Sequence, residues 1–201
     1  CQKEMPVPDE IAARAAEVSD AAVIVFGRTA GEDQDNSESA GSFEPTQEEL
    51  ALIRTVTRYF SRVIMVLNVG NVVSGAFCTE KGVNALLYVW QGGQQGGRAV
   101  ADLLCGDKTP SGKLADTIAK TLANYPAYGQ FGSTEENIYR EDIYVGYRYF
   151  ETFCPDAVLY PFGFGLSYTT FSVQVQQCAL QKDTVSLRAE VTNTGTYSGK
   201  Q

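Results

Sequence analysis

The sequence predicts an α/β fold: a three-layer α/β/α sandwich with a mostly parallel sheet, followed by a truncated antiparallel β segment. Three observations carry that reading. Short apolar runs occur at residues 21–26 (AAVIVF), 63–67 (VIMVL) and 83–90 (VNALLYVW). The first two lack polar alternation, as do strands covered on both faces of a parallel sheet. Helical patterns fall between these runs, and strand–helix alternation builds parallel sheets with right-handed crossovers. From Phe171 onward the texture changes to strict apolar–polar alternation, the mark of half-buried antiparallel strands.

Each element has a local cause. Pro8-Asp9-Glu10 opens a helix expected to run through Val18. Thr46-Gln47-Glu48-Glu49 spells a capping box, with Thr46 as N-cap and Glu49 at the third helical position. The helix it starts carries Leu50, Ile53, Val56 and Phe60 on one face, with Arg54 and Arg58 outside it. A third helix is expected from Gln95 to Leu104, with Ala99, Val100, Leu103 and Leu104 inward and Gly106 just past its end. Residues 124–168 then hold eight of the eleven tyrosines and a Pro/Gly/Phe-rich passage at 160–168. In the last segment Val173 and Val175, then Val185, Leu187, Ala189 and Val191, alternate with polar residues. About 30 residues is too few for a complete β-sandwich. At roughly 150 residues per domain, 201 residues make about 1.3 domains. The expected division is therefore a partial α/β domain at 1–168 and the beginning of a β-domain at 169–201.

Composition removes several function classes. The chain has no histidine, which excludes Ser-His-Asp and Cys-His nucleophilic machinery, His-ligated zinc and a His proton shuttle within it. Carboxylates become the leading catalytic candidates. Sixteen Lys and Arg against 24 Asp and Glu give a net charge of −8. No basic stripe offers itself to nucleic acid or to an anionic membrane, so neither is an expected partner. No apolar run approaches the 18 or so residues that span a bilayer, and the polar start Cys1-Gln2-Lys3-Glu4 carries no leader signal. The five cysteines, Cys1, Cys78, Cys105, Cys154 and Cys178, are odd in number and widely spaced. They read as reduced, mostly buried thiols of a cytoplasmic protein, with secretion or a periplasmic location open if a signal has been removed.

In open α/β sheets, ligands gather outside the carboxyl ends of the strands. Three loops qualify: 27–36 (GRTAGEDQDN), 68–71 (NVGN) and 90–97 (WQGGQQGG). If the strands are parallel, these loops share one edge. Glu32 stands beside Asp33 and Asp35, whose like charge raises a carboxyl pKa and favours a general acid, while Arg28 pulls the other way. The bland alternative is a solvated acidic loop. Asp33-x-Asp35-x-Ser37 with Glu44 imitates a calcium loop but has Glu38 where the sharp turn needs Gly. GGQQGG does not spell a dinucleotide fingerprint and has no phosphate-binding lysine.

These residues together resemble the C-terminal half of glycoside hydrolase family 3, the β-glucosidase and β-xylosidase group. AAVIVFGRTAGEDQD is similar to that family's strand and R-x-x-G-E-G-x-D loop, and VIMVLNVGN to its V-V-x-L-N-x-G segment. LLYVWQGGQQGGRAVADLLCGDKTPSGKL resembles its W-x-x-G-Q-x-G-G…P-S-G-K-L stretch, and EDIYVGYRYFET and YPFGFGLSYTTF resemble two later signatures. The resemblance covers about residues 9–171 and implies that a fibronectin type III-like domain begins after it. It also implies a retaining exo-acting β-glycosidase, most often a β-glucosidase, that removes terminal non-reducing β-D-glucosyl residues. On that reading Glu32 is the general acid/base, Arg28, Asp33, Gln34 and Asp35 bind substrate, and Gln34 borders the aglycone. The aspartate nucleophile lies on a (β/α)8 barrel absent from these residues, so the chain alone is expected to be inactive. The implied partners are an oligosaccharide or β-glucoside and that barrel; no cofactor or metal is implied, and homo-oligomerisation is open. The alternative is a non-catalytic carbohydrate-binding or interaction module. Asp33 stands where the family usually has Gly, and Asn36 where it has Arg. At Leu114-Ala115-Asp116-Thr117 periodicity favours helix, whereas the family's L-P-x-T implies extended chain.

Overall fold

A computed structural model of the protein describes residues 4–28, 35–130, 132 and 134–201, apart from the side chain of Cys78. The chain divides into two compact units.

The first unit contains the chain up to Gly93 and Asp116–Phe162. Its frame is a three-stranded parallel sheet in the order β1 (Ala21–Gly27), β2 (Arg62–Asn68), β3 (Ala85–Tyr88). Helix α1 (Asp9–Ala16) precedes β1 and α2 (Gln47–Tyr59) precedes β2. The short α3 (Ala76–Thr79) lies between β2 and β3. The α/β prediction therefore holds, with all three strands near their expected places.

Register decides where the core sits. Ala22, Ile24 and Phe26 pair with Val63, Met65 and Leu67, and paired residues share a face of the sheet. Onto that face α2 lays Ile53 and Val56, and Val69, Val73 and Phe77 complete the core. The opposite face of β1 differs from expectation. Val23 and Val25 are 49% and 58% exposed, because only the even-numbered side chains of β1 join the core that α2 covers. The capping box forms as read: Thr46 Oγ1 accepts from Glu49 N at 3.1 Å, and a Glu49 carboxylate oxygen accepts from Thr46 N at 2.8 Å.

In the same unit β4 (Ile118–Ala119) pairs antiparallel with β5 (Val158–Tyr160). Residues 111–117 are not helical, as the family resemblance implied and periodicity did not. The tyrosine-rich passage forms a helix, α5 (Tyr147–Phe153), to which sequence reasoning assigned no element. Phe150 of α5 is buried and meets Tyr125 edge-on, with ring centroids 5.5 Å apart. The Tyr125 hydroxyl donates to Thr117 O at 3.1 Å and accepts from Ala119 N at 3.0 Å. Burial holds its pKa above the ordinary phenol range, more than the Ala119 bond lowers it.

The second unit is Gln94–Ala115 with Gly163–Gln201. Helix α4 (Gly96–Leu104) stops where expected: the Gly106 N–H donates to Leu103 O at 3.1 Å, and the φ of 80° at Gly106 turns the chain out of the helix. Its expected inward face is only partly realised: Val100, Leu103 and Leu104 are half-buried, but Ala99 is exposed. Strands β6 (Phe171–Gln181) and β7 (Thr184–Asn193) form an antiparallel ribbon. A bulge at Val175/Gln177 leaves Gln176 unpaired in the ladder. Beyond it the apolar face of β6 passes from odd positions, Val173 and Val175, to even ones, Cys178 and Leu180. Their partners are Val191, Ala189, Leu187 and Val185. That face is exposed rather than half-buried, as at Val175 and Leu187, since a two-stranded ribbon cannot bury its own surface. The thiol expectation is corrected likewise. Cys105 and Cys178 are free but exposed, and Cys154 is half-buried, because α4 and the ribbon put their cysteines on uncovered surface.

Two predictions follow from this packing. Ile53→Ala removes a fully buried side chain from between α2 and the sheet, and is expected to cost about 2–5 kcal/mol in urea unfolding. Tyr125→Phe leaves two backbone groups without their partner and should cost about 1–3 kcal/mol. Because the folded-state pKa of Tyr125 is raised, its contribution is complete below the unfolded phenol pKa and fades as pH climbs through the folded one. The wild-type advantage over Tyr125→Phe should therefore shrink in strongly alkaline melts.

Candidate active site at the carboxyl edge of the sheet

The parallel registers bring three strand ends together: Gly27 pairs with Asn68, and Leu67 with Tyr88. The loops following β1 and β2 therefore leave from one edge, as the sequence reading required. The ladder continues one step past β1, where Arg28 N donates to Asn68 O at 3.1 Å. The Tyr88 hydroxyl donates to Asn71 O at 2.7 Å and so ties the loop after β2 to β3. Tyr88 also packs on Trp90, with ring centroids 4.4 Å apart. Trp90 adopts a φ of 54°, a left-handed conformation that costs a bulky residue energy. The remainder of the third loop, from Gln94, belongs to the second unit.

Glu32, Asp33 and Gln34 lie outside the described residues. The residues on either side of segment 29–34 are held from different directions. On the amino side, the Arg28 guanidinium is gripped by the Glu49 carboxylate in a two-pronged ion pair. Nη1 donates to Oε1, and Nη2 to Oε2 at 2.7 Å. Nη1 also donates to Gly27 O at 3.1 Å, and Nε approaches Ser42 O at 3.4 Å. The guanidinium carbon sits 5.6 Å from the centroid of Phe77, which itself packs on Phe26. On the carboxyl side, Asn36 Nδ2 donates to Val72 O at 2.9 Å, and Asp35 Oδ1 accepts from Asn36 N at 2.8 Å. Asp35 is exposed. Phe43 is fully buried and its carbonyl accepts from Ser74 N at 2.8 Å, fastening the following turn to the sheet unit.

Sequence reasoning missed Glu49 as part of this arrangement. It read as a helix cap alone, yet its carboxylate serves the cap and Arg28 together while its side chain is only 5% exposed. The available signal was Arg28 itself, a cation directly after a buried strand that needs a counter-charge. The pairing also changes one electrostatic expectation. Arg28 was read as opposing the acidic neighbours of Glu32, but its charge is matched by Glu49. Among the described residues, no group of three or more Cys, Asp or Glu side chains could hold a metal ion. No described helix is long and apolar enough to cross a membrane.

A parallel α/β sheet whose first strand is followed in sequence by an acidic segment belongs to the class of α/β domains that meet ligands at strand ends. Residues 6–147 match the glycosyl hydrolase family 3 C-terminal domain, and the chain belongs to that family. It is 47% identical over its whole length to a β-glucosidase of Ruminococcus albus, of which it covers 21%. A crystal structure of a β-glucosidase from Paenibacillus barengoltzii superposes on 99% of the chain with a TM-score of 0.93 and 52% identity, over 22% of that protein. β-Glucosidase 3B from Thermotoga neapolitana, solved with glycerol, superposes on 98% with a TM-score of 0.88 and 36% identity, over 29% of its chain. The chain thus spans about a fifth of the length of the first two relatives.

Removing one member of the buried pair is expected to cost more than removing both. Arg28→Met strands the Glu49 carboxylate and should lower unfolding stability by about 3–5 kcal/mol near neutral pH, whereas Arg28→Met/Glu49→Leu should recover most of it. A double-mutant cycle of chemical unfolding measures both costs.

Proposed function

We propose that the chain supplies the general acid/base of a retaining, exo-acting β-glycosidase, in first place a β-glucosidase acting on terminal non-reducing β-D-glucosyl residues. Glu32 is that group, and the aspartate nucleophile belongs to a (β/α)8 barrel outside these residues. The observation that carries the reading is the family 3 match, which runs through β1 and the acidic segment directly after it.

Chemistry supports the division of labour. Retaining hydrolysis uses two carboxyl groups about 5–5.5 Å apart on opposite sides of the sugar. Asp33 and Asp35 are too near Glu32 in sequence to face a sugar ring from the other side, so the nucleophile has to come from elsewhere. In the first step the Glu32 carboxyl gives its proton to the glycosidic oxygen as the C1–O bond breaks and the nucleophile's bond to C1 forms. In the second, the resulting carboxylate takes a proton from the water that attacks C1 and releases the nucleophile. Asp33 and Asp35 favour the protonated form needed first, and Arg28, matched by Glu49, does not oppose them with an unbalanced charge. Arg28, Asp33, Gln34 and Asp35 contribute to substrate binding, with Gln34 bordering the leaving group and Arg28 at the root of the segment. The ribbon β6–β7 is the opening of a fibronectin type III-like domain.

The isolated chain is expected to show no turnover of an aryl β-glucoside. Spliced in place of the matching fifth of the Ruminococcus albus relative, it should support hydrolysis. In that chimera Glu32→Ala should lose about 10²–10⁴-fold in rate, with partial rescue by azide, which needs no general base. A chimera that is inactive, or indifferent to Glu32→Ala, would point instead to a non-catalytic sugar-binding or interaction module.

A further inference from the structure

We infer that Glu49 is a positioning residue for the acid/base step: through Arg28 it fixes the root of the segment that bears Glu32. The inference rests on the assignment of Glu32 and extends it to a residue seventeen positions away on another element.

Position, geometry and cost point the same way. Glu49 lies in the first turn of α2, where the Thr46 N–H fixes one of its oxygens. The same carboxylate takes both terminal nitrogens of Arg28, so two elements are locked in one orientation by a planar fork. Arg28 is the first residue past β1, four residues before Glu32. Its other contacts among the described residues, to Gly27 O, Ser42 O and the Phe77 ring, leave the guanidinium little freedom. With side chains 11% and 5% exposed, the pair is of the buried kind that apolar residues of similar volume often replace without loss of stability, its cap bond to Thr46 N apart. The fork does what an apolar pair cannot: it holds Arg28, the residue from which the segment departs, in one orientation. A general acid needs such control, since a misplacement of about 1 Å costs on the order of 10²-fold in rate.

The test is leaving-group dependence in the active chimera, read as kcat/KM, which reports the first step up to departure of the aglycone. An alkyl β-glucoside needs its departing oxygen protonated, whereas 2,4-dinitrophenyl β-glucoside does not. Glu49→Gln should lower kcat/KM by roughly 10–100-fold for the alkyl glucoside and by less than about threefold for the dinitrophenyl one. Arg28→Lys keeps the charge but not the fork and should show the same selectivity. Arg28→Met/Glu49→Leu should recover most of the thermal midpoint lost in Arg28→Met while the selective loss persists. Equal losses on both substrates, no loss, or recovery of alkyl glucoside hydrolysis in the double variant would overturn the inference. Glu32→Ala, run alongside, separates the two assignments. If it spares both substrates, the Glu32 reading fails and the Glu49 inference goes with it. If it is selective while Glu49→Gln is not, only the Glu49 inference fails.

Discussion

The seven-pair parallel register between β1 and β2 is the constraint from which the rest of the first unit follows. It selects Ile24 and Phe26 for the face that α2 covers, and it brings the ends of both strands to the same edge. It also carries the ladder on to Arg28, which is therefore held by its backbone before its side chain finds any partner. A register shifted by one residue would turn Val23 and Val25 toward α2 and send the guanidinium to the other face of the sheet. The core and the candidate site are thus two results of one pairing.

The Arg28–Glu49 pair shows how a helix cap and an ion pair can share one side chain. A capping-box glutamate normally spends its carboxylate on a backbone N–H at the helix start. Here the same group also neutralises a cation at the end of a strand, so the start of α2 and the exit of β1 are oriented together. Removal of Glu49 would loosen both at once. Its effect on stability cannot stand as a measure of its role in a reaction, which is why substrates that differ in their need for a proton are informative.

How much was legible in the sequence depended on how local the cause was. The Thr46 cap, the stop at Gly106 and the three apolar strands each follow from a few adjacent residues, and all are present. What escaped depended on partners distant in sequence. Glu49 could be read as a cap but not as the counter-ion of a residue twenty-one positions earlier. Ala99 was assigned inward by periodicity, yet periodicity states only that a helix has an apolar side and not how much of it is covered. Val23 and Val25 follow the same logic, since an unbroken apolar run does not show which faces of a strand are covered. In the candidate site, the common edge and the residues flanking segment 29–34 were accessible from strand order. The chemical role proposed for Glu32 comes from motif resemblance, because carboxylate clusters occur on many solvated loops.

The bulge in β6 has a consequence for how this part of the chain tolerates changes in length. Gln176 is a supernumerary residue: the ladder resumes beyond it with the same apolar partners facing the same way. Deleting it would bring Val173, Val175, Cys178 and Leu180 into simple alternation without turning any of them over. Loss of a residue elsewhere inside either paired half would invert everything beyond it unless a new bulge formed. Related chains that differ by one residue in this strand can therefore keep an identical surface pattern, and a gap in their alignment belongs at this position.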